Sequence, residues 1–531
     1  MRAPGPLRFP PHAAFDALRF AEPLRPSPWR RLAALRLLVR HPREALAIAR
    51  AWLGGKRVRA RNLATALLGA AHRLHPHPVP EAGPEAAPAT FPVILCPPGH
   101  SLAAGAVALI EDAFRAEPSL QALYGDALVL GADGAPLLPL LRPAFDPDFL
   151  LAVDAVGPVV AVRRSALEEA GPAEGPALLL ALHDRHGPRA VRHLPRMLSL
   201  WRPFAAEPPG PSKAVREARR ALAQARVPGA VVETGPDGVL AIRRPLPDPL
   251  PLASLIVPTR DRVDLLRTCL DSLRACTDWP ALEIIVCDND SREPETLACF
   301  RELEAAGAAR VLACPGPFNF AAMNNRAASI ARGQLLGFVN NDVEAAQSDW
   351  LRRMAEEALR PEVGAVGAKL LDGAGRIQHG GIVLGTGGLV THAHRHFPGD
   401  APGYLHRLAA THRVSAVTAA CLVVEARKFA QVGGFDEAAF AVDFNDVDLC
   451  LRLDRAGYRT LMVPGAVLHH REAASRRWTP EARVRHAAEV AALRARWDAA
   501  LAADPWYHPG FDPQAPTYTR LGPPPDASPL R

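Results

Sequence analysis

The chain has 531 residues, 49% hydrophobic and 22% charged, with 54 prolines and 39 glycines. This composition excludes wholesale disorder and a membrane-embedded body, and the length requires more than one core, about two to four domains. The net charge of +7 is uneven: between Arg25 and Arg73 twelve basic residues oppose one acid, Glu44, so that window is +11 and the remainder sums to −4.

In chain order, the opening MRAPGPLRFPPHAAF lacks the uninterrupted apolar stretch of a signal peptide. Residues 28–75 are rich in Ala, Leu and Arg at helical spacing and predict two basic amphipathic helices within a leader spanning 1–80. Proline-rich stretches at 76–92, 203–212 and 243–254 punctuate the chain beyond the leader; the last is the expected domain boundary. The apolar run Phe149 to Val162 is shorter than the ~18 residues a membrane span needs and contains Asp154. Eight cysteines show no CxxC pair, so reduced thiols and a cytoplasmic location are expected.

From Ser254 strands and helices alternate. SLIVPT, EIIVCDNDS and QLLGFVNND are apolar strands ending in polar residues, with helical periodicity from Val263 to Ala275 between the first two. Strands apolar throughout are buried on both faces, which predicts an α/β fold with a parallel sheet covered by helices. Ligands bind at the carboxyl ends of such strands, here Pro258-Thr259, Asp288-Asn289-Asp290-Ser291 and Asn340-Asn341-Asp342.

Asp342 just past its strand can ligate a hard divalent cation or close an Asx turn. Asp446 and Asp448 open a helix in NDVDLCLRLDRAGYR. Two residues apart on a helix, their side chains diverge by about 200°, so they serve different tasks, and Arg452 stands four residues from Asp448. In VLHH, His469 and His470 are adjacent on a strand and point to opposite faces, so at most one of them binds a given ion without a bend. His392, His394 and His396 at period two would share a face on a strand and mimic a metal site; a basic loop over the substrate is the alternative.

In this order, SLIVPTRDR at 254–262, VCDNDS at 286–291, NNRAASIARG at 324–333, FVNNDV at 338–343, VGGFDE at 432–437, NDVDLCLRLDRAGYR at 445–459 and VLHH at 467–470 resemble glycosyltransferase family 2. That family has the inverting, nucleotide-diphospho-sugar-dependent GT-A fold. PGPFNFAAMNNR, SAVTAACLVV and HHREAAS resemble its rhamnosyltransferase-like branch in bacterial surface polysaccharide assembly. The resemblance implies a catalytic domain over 251–477. It puts Pro258, Thr259, Arg262, Asp288, Asn325, Arg326, Asn340 and Asn341 along the nucleotide sugar, and Gly434, Phe435 and Asp436 on the acceptor side. Asp446 would be the general base, and Asp342, in the family's DxD position with Asn340 replacing the first acid, the metal contact. His469 would be the expected second ligand and His470 the lesser one, on Mn²⁺ or Mg²⁺. Implied partners are a UDP- or dTDP-linked sugar, a glycan or lipid-linked acceptor and the inner membrane surface, with no nucleic acid. A non-catalytic scaffold of a glycan-assembly complex is the alternative.

EGPALLLALHDRHG at 174–187 aligns with FNDVDLCLRLDRAG at 444–457, and VVAVRRSALEEAG at 159–171 resembles VVEARKFAQVGG at 423–434. Residues 90–205 therefore read as a degenerate, truncated GT-A-like copy in which Pro176 stands at Asp446. A linker is expected over 206–250, and a helix to about Ala502 followed by a proline-rich tail over 478–531.

Overall fold

The computed structural model describes residues 92–522, apart from 132–133, 135, 203–212, 236–237 and 472–478, together with Ala49. The basic leader otherwise lies outside the described residues. Two mixed sheets organise the rest.

The first sheet comprises β1 (Val93–Leu95), β2 (His100–Leu102), β3 (Ala122–Leu130), β4 (Pro136–Leu140), β5 (Val160–Val162) and β6 (Val191–Trp201). Its order is β1-β5-β3-β6-β2, with β4 also on β3. Helices α1 (Ala106–Ala116), α2 (Pro147–Ala152), α3 (Arg164–Ala170) and α4 (Gly175–His186) accompany it. The expected linker is instead folded. Helix α5 (Lys213–Arg226) and the hairpin β7 (Val231–Thr234)–β8 (Leu240–Arg243) bury Ala223, Val227, Val232 and Leu240 in the first sheet's core. The hairpin then hands over to the second module through Arg243, 2.6 Å from Glu356, while Arg244 bridges the two modules, 3.1 Å from Asp148 and 3.2 Å from Glu357.

The second sheet contains β9 (Ala253–Thr259), β10 (Leu282–Asp288), β11 (Arg310–Ala313), β12 (Leu335–Val339), β13 (Val343–Ala345), β14 (Val363–Leu371) and β15 (Ile377–His379). A separate hairpin, β16 (Ile382–Leu384) with β17 (Val390–His392), precedes β18 (His412–Arg413), β19 (Cys421–Glu425) and β20 (Arg459–His470), which rejoin the sheet. Its order is β11-β10-β9-β12-β19-β14-β20-β13, with β15 on β14 and β18 on β20. Strands β11, β10, β9 and β12 are parallel and β19 is antiparallel to both its neighbours. Helices α6 (Val263–Ala275), α7 (Pro294–Ala305), α8 (Phe320–Ile330), α9 (Trp350–Ala358), α10 (Ala426–Gln431), α11 (Asn445–Arg455) and α12 (Pro480–Ala502) complete it.

Strand β9 shows why these runs are apolar throughout. Leu255 and Val257 join Leu266, Leu270 and Met354 in one core, whereas Ile256 joins Phe338, Met323 and Leu449 in the other. Each such side chain contributes about 1.5–3 kcal/mol when fully buried. The α/β expectation is met, and because β9, β10 and β12 run parallel, their three polar ends share one edge of the sheet.

The pairings β1-β5-β3-β6-β2 repeat β12-β19-β14-β20-β13 strand for strand and in the same sense, β4 standing where β15 does. Among the described residues the first sheet has no counterpart of β9, β10 and β11.

After α12 the chain is a packed strap rather than a free arm. Tyr507, Phe511, Tyr518 and Leu521 enter a core with Val129, Leu141 and Phe149 of the first sheet's module and Tyr404 of the second. Beside them Asp126 on β3 receives His508 Nε2 at 2.8 Å, His193 Nε2 at 3.0 Å and the Arg142 amide at 2.9 Å.

Candidate active site

At the shared edge, strand ends are cross-tied by side chains that sequence marks only as polar. Asn341 Nδ2 donates to Thr259 Oγ1 at 2.9 Å, and the Asn289 backbone N–H donates to the Thr259 carbonyl at 3.0 Å. Asp261 Oδ1 accepts from the amides of Arg292 and Glu293, joining the loop after β9 to the loop after β10. Arg262, in the left-handed region at φ 55°, opens α6 and lies within electrostatic reach of Asp342. Pro258, next to last in β9, pairs with Cys287, and Asp288 Oδ1 closes a turn on Ser291 N–H at 2.9 Å. Arg326 is exposed on α8 and lies within electrostatic reach of Cys287 and Cys314 at the ends of β10 and β11.

Asp342 is buried, and its carboxylate lies 3.1 Å from His470 Nε2. Antiparallel pairing sets this contact, since Val343 stands opposite His470 and Glu344 opposite His469. The expected ranking of the two histidines is therefore reversed: His470 meets Asp342, and His469, one residue earlier on the strand, points to the other face. Two ligands on neighbouring positions of an octahedral ion, each about 2.1 Å from it, stand about 3 Å apart. Asp342 Oδ1 and His470 Nε2 have that spacing, and His470 Nδ1 is buried without a protein partner. The pair fits a divalent cation. Asn340 is tied by its backbone, N–H to the Ala420 carbonyl at 3.0 Å, at the same strand end.

Asp446 and Asp448 diverge as helix geometry requires. Asp448 is fully buried against Arg452 at 2.7 Å, Arg496 at 2.9 Å and the Trp497 indole N–H at 2.9 Å. Asp446 turns to the loop before β19, where Oδ2 accepts the Ala419 amide at 3.1 Å while Oδ1 accepts the Val447 amide at 2.8 Å. Burial pushes the Asp446 carboxyl above its ordinary range, and these hydrogen bonds only partly offset it. A carboxylate so held is a poised proton acceptor.

Three expected roles are corrected. The amide of Asn325 is committed elsewhere: Nδ2 donates to the Phe435 carbonyl at 2.8 Å and to Glu437, and Oδ1 accepts the Phe435 amide. It braces the 433–437 turn, where Gly434 sits at φ 69° and a Cβ would lie 2.7 Å from Asn325 Oδ1. Phe435 is core, packed on Phe338 and Phe429, and Asp436 caps Ala438 and Ala439 while pairing with Arg496 at 2.7 Å. Gly434, Phe435 and Asp436 thus brace this turn and tie it to α12 through Arg496. Nor do His392, His394 and His396 share a strand face: β17 ends at His392, and the other two have positive φ.

Sequence reasoning also missed the contribution of α12. Glu489 accepts the amides of Val442 and Asp443, holding the approach to Asp446, and with Arg496 and Trp497 it anchors α11. No motif signals this, because the contacts span some 45 residues of sequence. Asp126, His193 and His508 form a second cluster of metal-ligating type. The Gly510 amide donates to His508 Nδ1 at 2.8 Å, which puts that ring's proton on Nε2, toward Asp126. The cluster is therefore a hydrogen-bonded clasp.

Residues 254–377 match the family model Glycosyl transferase family 2. The chain is 35% identical over 425 residues to uncharacterized protein y4gI of Sinorhizobium fredii, covering 76% of this chain and 47% of that protein. It is 35% identical over 428 residues to the O-antigen biosynthesis protein RfbC of Myxococcus xanthus, covering 78% of this chain and 32% of that one. Over 56 residues it is 48% identical to an N-acetylglucosaminyl-diphospho-decaprenol L-rhamnosyltransferase of Mycobacterium tuberculosis, covering 10% of this chain and 18% of that protein. The chain spans less than half the length of each of these relatives.

Proposed function

The chain belongs to glycosyl transferase family 2 through its second module, and from that premise we propose that it moves a sugar, with inversion, from a nucleotide-diphosphate donor to a hydroxyl of a glycan or lipid-linked acceptor in surface polysaccharide synthesis. The observation that carries this reading is the convergence of Asp342–His470 and Asp446 at the carboxyl edge of β9, β10 and β12.

In this mechanism Thr259, Arg262 and Asp288 line the nucleotide end. Asp342 and His470 would hold Mn²⁺ or Mg²⁺, which would supply positive charge to the leaving diphosphate. Asp446, oriented by the Ala419 and Val447 amides, keeps lone pairs for the acceptor hydroxyl and takes its proton. A single in-line displacement inverts the anomeric carbon and needs no covalent enzyme intermediate.

A panel of UDP-, dTDP- and GDP-sugars scored by thermal shift and hydrolysis with Mn²⁺ tests this reading; no stabilisation and no turnover with any of them refutes it. Within the panel, His470→Ala is expected to abolish the Mn²⁺-dependent part of the shift, whereas His469→Ala leaves it intact. The reverse pattern rejects His470 as the ligand.

We read residues 90–205 as a truncated copy without transfer chemistry. Its helix α4 opens on Gly175-Pro176 with no acid in the first turn, and His100 stands opposite Trp201 where Val343 stands opposite His470. Among the described residues no helix is long and apolar enough to cross a membrane. We assign the +11 leader to peripheral contact with anionic lipid. Deleting residues 1–75 is expected to abolish sedimentation with anionic vesicles while sparing turnover; unchanged sedimentation rejects that role.

A further inference from the structure

Two histidines of the second module, His379 buried and His392 half-buried, have no part in the mechanism above. His379 ends β15 and His392 ends β17, and their Nδ1 atoms lie 2.9 Å apart, the rings meeting edge to face with centroids 5.0 Å apart. Two glycines follow His379 where close packing leaves no room for a Cβ. A Cβ on Gly380 would lie 2.8 Å from Leu408, and one on Gly381, at φ 102°, 2.8 Å from Val414.

The proton positions follow from the neighbours. The Thr418 amide N–H points at His379 Nε2 at 3.4 Å, a long contact, and an amide only donates. His379 Nε2 must then be a lone pair and its proton lies on Nδ1. That proton is donated to His392 Nδ1, which leaves the His392 proton on Nε2. A second proton on either ring would set two N–H groups against each other. Burial acts in the same direction, bringing His379 down to about 3 and His392 well below its ordinary range, with His470 adding to both. Among the described residues His392 Nε2 has no hydrogen-bond partner, yet it is not sealed from solvent.

The pair is bracketed by the two halves of the site. His470, the partner of Asp342, lies within electrostatic reach of both rings, and Thr418 precedes the Ala419 amide that holds Asp446. Resting on the glycosyltransfer reading, we propose that His379 is a positioning residue that fixes the tautomer of His392, and that His392 Nε2–H donates to a sugar hydroxyl lying between Asp446 and Asp342. A donor that stays neutral suits a hydroxyl oxygen, while the diphosphate end is served by charged groups.

The test has a spectroscopic arm and a kinetic arm, both on the full chain. Long-range ¹H–¹⁵N spectra of ¹⁵N-histidine-labelled protein are expected to show His392 protonated on Nε2 alone from pH 5 to 8. His379→Asn, whose amide nitrogen replaces Nδ1, keeps this pattern and His379→Leu loses it. A proton on His392 Nδ1 in the wild type overturns the proposal. In hydrolysis of dTDP-rhamnose, UDP-N-acetylglucosamine or GDP-mannose with Mn²⁺, His392→Gln, whose amide nitrogen replaces Nε2, is expected to keep most of kcat/KM, whereas His392→Asn loses about ten-fold. Equal losses in both variants overturn the sugar contact. A wild type that neither binds nor hydrolyses any of the three donors refutes the glycosyltransfer reading, and the contact with it, whatever the spectra show.

Discussion

Asp446→Asn is expected to lower kcat roughly 10²- to 10⁴-fold while leaving donor binding and the folded state intact. The amide cannot take a proton from the acceptor hydroxyl, yet its oxygen can still accept one of the two backbone N–H groups that hold the carboxylate. Because burial raises the Asp446 pKa, the wild-type kcat/KM should rise with pH through one ionisation above the ordinary aspartate value of about 3.9. The same shift fixes a sign for stability. A carboxyl whose folded pKa exceeds its unfolded one binds its proton more tightly when folded, so its effect on stability worsens as pH rises between the two values. The substituted side chain carries no charge to desolvate, and thermal denaturation at neutral pH should show the variant at least as stable as the wild type. Asp448→Asn should behave oppositely, since it weakens buried contacts to Arg452, Arg496 and Trp497 and lowers stability. Near-normal turnover by the Asp446 variant, measured with a donor that the wild type uses, removes Asp446 as the base.

The second large effect concerns the strap. Asp126→Ala is expected to destabilise the protein by about 3 kcal/mol in urea titrations, because it leaves two buried imidazoles and the Arg142 amide without their acceptor. Burial by itself would raise the Asp126 pKa, but His508 and His193 overcome it and hold the carboxyl far below its usual range. A depressed folded pKa stabilises above the unfolded value and is lost as pH falls through the folded one, so this contribution is present at neutral pH and fades in strong acid. The variant should also expose residues 503–522 to limited proteolysis. Unchanged urea midpoints and cleavage patterns would show that the aromatic cluster alone secures the strap.

Much of the second module was legible because its signals are local. The apolar runs of β9 and β12 and the polar residues that end them are set by burial and turn chemistry within a few positions. That His470 and not His469 would lie beside Asp342 was not legible, because adjacent residues differ only in strand parity. Pairing of β14 with β20 passes from Ala368–Val463 to Lys369–Val467 across an irregularity around Pro464, and no local pattern encodes that slip. Asn325 carried a motif's expectation, but a tertiary partner, the Phe435 backbone, took both ends of its amide. Residues 503–522 read as a tail because of their prolines. Their three aromatic side chains in the core, Tyr507, Phe511 and Tyr518, have partners that lie far away in the sequence.

The clasp on Asp126 also orders events during synthesis. Its partner His508 lies 382 residues downstream. At about 5–20 residues per second, a ribosome needs roughly 20 to 75 s to travel from one to the other. Once His193 has been made, and until His508 follows, the first module has His193 and the Arg142 amide to hold its central acid, and an open apolar seat where Tyr507 and Phe511 will rest. The amino-terminal module is thus made first and completed last.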